Sequence, residues 1–271
     1  FNKTIILDIA NNHFGKTSHG IDIIKRFSEL NYPDNYTTFF KLQYRNLDTF
    51  IHPNSAPDSH YVKRFNSTKL EKNQLLLIAK AIKELDRNKF KLMITPFDED
   101  SVEWAIDSEV DVIKVASCSA NDWPLLEKTS NANIPIVAST GGLDLNSIDN
   151  LVSFFKHRAV EFALMHCISV YPTEPQDCNL SFIKTLKKRF PDLNIGWSTH
   201  EPPEDTDLVL SAISVGANLL ERHICIPKKE MPQNAYSSTP NQLQEWLNKI
   251  SKAEKILGLD QINIRDEEIK S

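Results

Sequence analysis

Residues 91–115 read KLMITPFDEDSVEWAIDSEVDVIKV, and this stretch decides the fold class. A short apolar run at 91–95 precedes a segment with helical spacing of apolar residues at 101–108, and a second apolar run follows at 112–115. A β-like run, an amphipathic helix and another β-like run predict a βαβ unit with parallel strands.

The same alternation extends in both directions from this unit. Six further strand-like runs bring the total to eight: 4–10, 37–43, 134–139, 160–166, 194–197 and 219–223. Further helix-like segments lie between or after them: 20–30, 70–85, 147–155, 181–190, 205–215 and 241–257. Eight units favour a closed (β/α)8 TIM barrel of the α/β class over an open sheet. An open nucleotide-binding sheet would also need a glycine-rich phosphate loop, and neither GxGxxG nor GxxxxGK[ST] occurs.

Length and composition fit one globular enzyme domain. Because such a barrel takes about 250 residues, we expect residues 1–257 to form a single catalytic domain and 258–271 a polar tail or linker. The net charge of −5 without a basic stretch argues against nucleic acid as a partner. The four cysteines include no CxxC pair and are expected to be isolated buried thiols. No signal or membrane-length apolar run is visible, so no membrane partner and a cytoplasmic location are expected.

A long polar stretch at 44–68 separates the second strand from its helix. Barrel active sites are built from the loops at the carboxyl ends of the strands. This stretch is therefore a candidate lid or substrate-binding segment, and the alternative is a surface insertion without a chemical role.

Two lysines, Lys41 and Lys114, interrupt apolar strands near their carboxyl ends. A buried lysine is costly unless it meets an anion, so the pair together with nearby hydroxyls predicts a phosphate or carboxylate site. For each lysine alone, the alternative is a salt bridge to a neighbouring barrel carboxylate.

Two histidines, His200 and His223, follow the seventh and eighth strands. Imidazoles from neighbouring strands are candidate ligands of a divalent metal with open positions for substrate. The alternative is a pair of hydrogen-bonded core histidines.

Several short motifs follow one another in order: NNHFG, FFKLQY, ITPFD, IKVAS, PIVASTGG, MHCISVYPT with DCNL, GWSTH and LLERHICIP. Together they resemble the sialic acid synthase family, which also includes legionaminic and pseudaminic acid synthases. The resemblance covers about residues 5–238. It implies a (β/α)8 barrel that condenses phosphoenolpyruvate with an open-chain amino sugar aldehyde, giving a 2-keto acid and phosphate.

The resemblance also implies roles for individual residues. The expected phosphoenolpyruvate positions are Lys41, Thr95, Lys114, Ser117, Ser139, Asn179 and Ser198. The expected acceptor side consists of Gln43, Ser119, Tyr171, Glu221 and Tyr236. His200 and His223 would bind the metal, expected to be Mn with Mg or Co as alternatives. Asp8 stands where the family usually has a glutamate, and it is expected to act in catalysis with Lys41 and the two histidines.

The departures from the family pattern fall on the acceptor side. Where the family reads Gly-Glu after the lysine strand, this chain has Cys118 and Ser119, and residues 233–236 replace its GPDH. We therefore expect phosphoenolpyruvate as donor and a sugar aldehyde other than N-acetylmannosamine as acceptor. Family members also form dimers and carry a C-terminal antifreeze-like domain that caps the partner's site. That domain is absent from this sequence, and a homodimer remains an expectation.

Two alternatives stay open. One is a divergent ligand-binding or regulatory barrel without turnover. The other is an aldolase or lyase that uses Lys41 or Lys114 as a Schiff-base nucleophile, which borohydride would trap.

Overall fold

The computed structural model describes Phe1, residues 3–258, Ile264 and Glu268. Eight parallel strands close into a barrel in the order β1 to β8, with β8 pairing back to β1. They are β1 Thr4–Asp8, β2 Thr37–Tyr44, β3 Phe90–Pro96, β4 Val112–Val115, β5 Ile136–Ser139, β6 Phe162–Cys167, β7 Ile195–Ser198 and β8 Leu219–His223. The predicted TIM barrel is thereby confirmed.

The helices surround this barrel. They are α1 Thr17–Ser28, α2 Leu47–Phe50, α3 His60–Ser67, α4 Lys72–Lys83, α5 Glu99–Asp107, α6 Trp123–Asn131, α7 Leu145–His157, α8 Phe182–Arg189, α9 Leu208–Ser214 and α10 Pro240–Leu257. Among the residues described, no helix combines the length and the apolar character that crossing a bilayer requires. The tail predicted at 258–271 lies mostly outside the described residues.

Helix α6 was not predicted from the sequence. It begins at Trp123 with Pro124 in its first turn, and the Asp122 side chain accepts a hydrogen bond from the backbone of Leu125. A proline in the first turn is compatible with a helix, because the N–H that it lacks has no intrahelical partner there. The proline therefore marks the start of this helix, although a proline in the interior of a helix would break it.

Strand periodicity divides the core into two parts. Side chains such as Ile5 and Leu7 of β1 point outward and join the large core beneath the helices. Inward side chains fill the barrel interior with one apolar cluster: Ile6, Phe39, Met93, Val112, Val137, Ala163, Met165 and Leu219. This cluster fills the lower part of the barrel and separates it from the polar side chains at the carboxyl ends of the strands.

The prediction about the cysteines is correct in part. All four thiols are free, and Cys167, Cys178 and Cys225 are buried. Cys118 is exposed, because it lies in a single 3-10 turn just beyond β4 instead of within a strand or a helix.

Candidate active site

An open cavity of about 1190 Å³ lies at the carboxyl ends of the strands. Thirteen of the fifteen residues predicted for the site line it: Asp8, Lys41, Gln43, Thr95, Lys114, Ser117, Ser139, Tyr171, Ser198, His200, Glu221, His223 and Tyr236. A cavity of this size at this face is the usual place for a barrel active site.

The two-residue period of the strands explains why these side chains converge. In β2, Phe39 belongs to the apolar interior, so Lys41 and Gln43 point inward above it. In β8, Leu219 points inward, and Glu221 and His223 follow in the same direction. Other strands repeat this arrangement, with Ile6 below Asp8, Met93 below Thr95, Val112 below Lys114, and Val137 below Ser139. The polar layer therefore sits directly on the apolar layer.

Four buried charges form a network at the base of the cavity. Nζ of Lys41 lies 2.9 Å from Oδ2 of Asp8 and 2.8 Å from Oε1 of Glu221. Nζ of Lys114 donates to Oγ of Ser139 at 2.5 Å and lies 3.5 Å from Oε2 of Glu221. The lysines thus make the carboxylate salt bridges that were the alternative prediction, and they do so inside the cavity.

The two lysines differ in their electrostatics. Burial alone would lower the pKa of Lys41, but Asp8 and Glu221 outweigh it and raise that pKa above its ordinary value. Burial lowers the pKa of Lys114, and the carboxylate of Glu221, the largest opposing contribution, offsets this only in part. Lys41 is therefore a fixed cation, whereas Lys114 lacks a full counter-charge.

The two candidate metal ligands lie close together at the ends of the neighbouring strands β7 and β8. The rings of His200 and His223 have centroids 5.4 Å apart. Nδ1 of His200 donates to the carbonyl of Ile168 at 2.9 Å, so Nε2 carries the lone pair of the neutral ring. Nδ1 of His223 lies 3.4 Å from Oδ2 of Asp8 and makes no hydrogen bond with a described residue.

Burial keeps both imidazoles neutral at physiological pH. It lowers the pKa of His200 to about 3, with His223 as the next contribution, and it also lowers the pKa of His223. Neutral imidazoles suit a divalent ion. Within residues 3–258, no cluster of three or more His, Cys, Asp or Glu side chains forms a cage. The residues therefore fit an open site in which two imidazoles bind the metal and substrate or water oxygens complete it.

Aromatic side chains border the histidines. The ring centroids of Tyr171 and His200 are 4.2 Å apart, and those of Tyr236 and His223 are 5.1 Å apart. Tyr171 and Tyr236 also contact each other edge to face at 5.2 Å. Both tyrosines were predicted on the acceptor side, and they form the rim beside the histidine pair.

The stretch at 44–68 forms one wall of the cavity through Phe50, Tyr61, Arg64 and Phe65. It is therefore not a surface insertion remote from the site. It is also more ordered than an irregular loop, because it contains α2 and α3, whose first turns are capped by Asn46 and Ser59.

Two predicted site residues do not line the cavity. Ser119 is buried at the end of the turn after β4, and its neighbour Cys118 lines the cavity in its place. Asn179 is exposed and has left-handed backbone torsions (φ 47°) just beyond the 3-10 turn Pro175–Asp177. In both cases the turn geometry after the strand decides the direction of the side chain, and strand periodicity does not extend there.

The sequence reasoning missed two arginines of the wall. Arg45 continues the alternation of Lys41 and Gln43 beyond the end of β2, and this spacing was a signal that could have identified it. Nη2 of Arg45 donates to Oε1 of Gln43 at 2.7 Å, and Nε2 of Gln43 donates to Oδ2 of Asp8 at 2.9 Å. Arg64 comes from α3, and no local pattern places it near β2.

The chain is similar to a known protein family over most of its length. The family model of the NeuB family matches residues 36–261, a segment that begins after β1 and Asp8. N-acetylneuraminate-9-phosphate synthase of Drosophila melanogaster is 37% identical over 162 residues, which are 59% of this chain and 42% of that protein. N,N'-diacetyllegionaminic acid synthase of Campylobacter jejuni is 26% identical, with 94% of this chain and 78% of that protein covered.

A solved structure is similar over almost the whole chain. That structure is of a protein from Chromobacterium violaceum, which is named putative spore coat polysaccharide biosynthesis protein E. It has a TM-score of 0.92 and 38% sequence identity, with 98% of this chain and 80% of that chain covered. The present chain corresponds to less than half of the Drosophila relative. Since the family match covers most of the sequence and the motifs lie around one cavity, this chain belongs to the NeuB family.

Proposed function

We propose that this barrel condenses phosphoenolpyruvate with a sugar aldehyde, giving a 2-keto-3-deoxy acid of the nonulosonic type and inorganic phosphate. The observation that carries the proposal is the position of the Lys41–Glu221–Lys114 network below the neutral pair His200 and His223, within one cavity. The family membership and the names of its relatives support the same reaction class.

The base of the cavity suits phosphoenolpyruvate. Nζ of Lys114 is bonded to the Ser139 hydroxyl, and Thr95, Ser117 and Ser198 line the same cavity. Charged and neutral donors at fixed positions can hold a phosphate and a carboxylate at once. Because catalysis of this kind depends on positioning, rigid strand ends are a favourable location for these groups.

His200 and His223 would hold the divalent metal, which supplies Lewis-acid polarisation of the acceptor carbonyl when bound. The carbonyl of Ile168 orients the His200 ring, and the Asp8 carboxylate lies beside the His223 ring. The tyrosines at the rim limit the approach of the acceptor to the side of the histidines.

The bond changes balance without a further co-reactant. C3 of phosphoenolpyruvate forms the new bond to the aldehyde carbon, whose oxygen takes a proton. Positive charge develops at C2, and the Asp8 carboxylate can stabilise it. Burial alone would raise the pKa of Asp8, but the Lys41 ammonium holds that pKa below its ordinary value. Water adds to C2, the bond from C2 to the phosphate oxygen breaks, and the keto acid and phosphate are released.

Phosphate release tests the proposal. Phosphoenolpyruvate is supplied with Mn, Mg or Co and a panel of aldoses and N-acyl amino sugars, and His200→Ala is compared with the exposed control His157→Ala. Release that requires an acceptor and is lost only in His200→Ala would support the synthase. Calorimetric binding of phosphoenolpyruvate without release for any acceptor would instead favour the ligand-binding barrel without turnover.

The lowered pKa of Lys114 is the one observation that favours a Schiff-base enzyme. Borohydride treatment during turnover separates the two chemistries. We expect no covalent label, and mass-spectrometric labelling of Lys114 would contradict the proposed reaction.

A further inference from the structure

The cavity wall carries two arginines that form no ion pair with any described carboxylate. Each of the five other arginines in the described part of the chain pairs with a carboxylate: Arg26, Arg87, Arg158, Arg189 and Arg222. Neither Arg45 nor Arg64 makes such a pair with a described residue, although both line the cavity. Among the described residues, the only hydrogen bond of the Arg64 side chain is a long one to the Tyr236 hydroxyl, 3.5 Å.

Arg45 is held firmly in place by neutral groups. Its Cζ lies 3.8 Å from the centroid of the Phe97 ring and 5.0 Å from that of Phe65. Its Nη atoms donate to the side-chain oxygens of Gln43 and Asn11, and its buried Nε finds no acceptor in the described part of the chain. Although burial lowers the pKa of Arg45 to about 10, the guanidinium stays charged at neutral pH. A fixed, partly desolvated cation with a spare donor is costly unless an anion binds it.

The arginines are separate from the lysines at the base. Lys41 already contacts Asp8 and Glu221, and Lys114 contacts Ser139 and Glu221. Arg45 follows Lys41 by four residues, roughly 13 Å of extended chain toward the mouth of the barrel. This arrangement fits two separate anion-binding positions, one at the lysines in the base of the cavity and one at the arginines nearer its mouth.

The wall around Arg45 has no direct ion pair among the described residues, although Asp8 and Asp98 attract Arg45 electrostatically. Asp8 and Glu221 are the carboxylates among the described residues that line the cavity, and both belong to the base network. On the turn after β4, Cys118 lines the same cavity. This wall is therefore suited to a ligand that carries negative charge itself.

We propose that Arg45 and Arg64 form a subsite for an anionic group, a phosphate or a carboxylate, on the acceptor aldose. The proposal rests on the proposed condensation and names the class of acceptor: an aldose with an anionic substituent remote from its aldehyde. Arginine forks bind either oxyanion through paired N–H donors, so the subsite would fix the acceptor while the aldehyde faces the histidines.

Calorimetry with unreactive acceptor analogues tests the subsite without turnover. The probes are a hexitol, the same hexitol carrying a 6-phosphate, and the corresponding aldonate, each titrated at saturating phosphoenolpyruvate. The proteins are wild type, Arg45→Met, Arg64→Met and, as the matched control, Lys63→Met. Methionine preserves apolar contact with Phe97, and Lys63 is an exposed cation next to Arg64 on α3 that does not line the cavity.

We expect an anionic probe to bind wild type at least about 30-fold more tightly than the neutral hexitol. Each arginine variant should lose most of this preference, with the Kd of phosphoenolpyruvate unchanged, while Lys63→Met keeps it. Preference for the phosphate over the aldonate, or the reverse, identifies the oxyanion. Equal binding of charged and neutral probes, or arginine variants that weaken phosphoenolpyruvate instead, would overturn the subsite. Failure of the condensation itself would appear separately, as absent phosphate release despite selective binding.

Discussion

Lys41 and Glu221 join two strands that are not neighbours in the barrel. Nζ of Lys41 on β2 donates to Oε1 of Glu221 on β8 at 2.8 Å, across β1, which lies between these strands. Glu221 also lies 3.5 Å from Lys114 on β4, so one carboxylate opposes two buried cations. Removal of that carboxylate would leave charge without compensation in the barrel.

Glu221→Gln is therefore expected to destabilise the fold by about 3 kcal/mol, because breaking a buried ion pair leaves its partner uncompensated. Urea unfolding at neutral pH measures the change. Glu103→Gln, which removes an exposed pair with Lys128, should leave stability nearly unchanged because solvent screens that pair. A Glu221→Gln protein as stable as wild type would show that the network contributes little to stability.

His13 makes stability depend on pH in the acidic range. Burial, with smaller contributions from Arg45 and His19, lowers its pKa from 6.5 to about 4. Between these values the unfolded chain binds the proton and the folded chain does not, so stability is lost as pH falls from about 6.5 toward 4. The loss attributable to His13 at pH 5 is about 2 kcal/mol.

The variant His13→Gln should reduce the pH dependence by that amount. The measurement is the difference in unfolding free energy between pH 8 and pH 5, for wild type and variant. His157→Gln serves as the control because His157 is exposed. If His13→Gln and wild type lose equal stability, another group is responsible for the acid sensitivity.

Asp8 is expected to support metal binding without being a ligand. Its Oδ2 lies 3.4 Å from Nδ1 of His223, and it also accepts from Gln43. Asp8→Asn should weaken Mn binding about 10- to 100-fold, as loss of a carboxylate behind a ligating imidazole typically does. Calorimetric Mn titration tests this against Asp192→Asn, an exposed control. Unchanged Mn affinity in Asp8→Asn would limit Asp8 to the reaction itself.

Cys118 offers a second test of acceptor charge, because it lines the same cavity within electrostatic range of Arg45. Cys118→Glu would place a carboxylate in the cavity within electrostatic range of Arg45. We expect KM for an anionic acceptor to rise about tenfold, since the new carboxylate repels the ligand and competes for the arginine. Cys118→Gln, of the same size, should change KM much less. Equal effects of the two substitutions would indicate a steric origin.

Local patterns were sufficient for the architecture and for part of the site. The alternation of strand-like and helix-like runs predicted eight units, and the limits of β4 and β8 agree with the prediction, whereas β1 ends two residues earlier, at Asp8. Lys41, Lys114, His200 and His223 were recognisable because a charged or metal-binding side chain at the end of an apolar strand is uncommon.

Turns after the strands limited the site prediction. Ser119 and Asn179 were assigned to the site, but neither lines the cavity. Their side-chain directions depend on turns whose torsions do not follow a two-residue period, and the resemblance gave their positions without their geometry. Arg64 was missed because it comes from α3, whereas its hydrogen-bond partner Tyr236 is far away in the sequence.

The sequence by itself determined which side chains point into the barrel, since inward direction is a local consequence of the two-residue period along each strand. Only the tertiary structure decided which of them meet. Closure of β8 on β1 brings Glu221 to Lys41 and Asp8 to His223, and the return of α3 over the mouth brings Arg64 near Tyr236. Those distances depend on the stagger and closure of all eight strands, which no single stretch of sequence encodes.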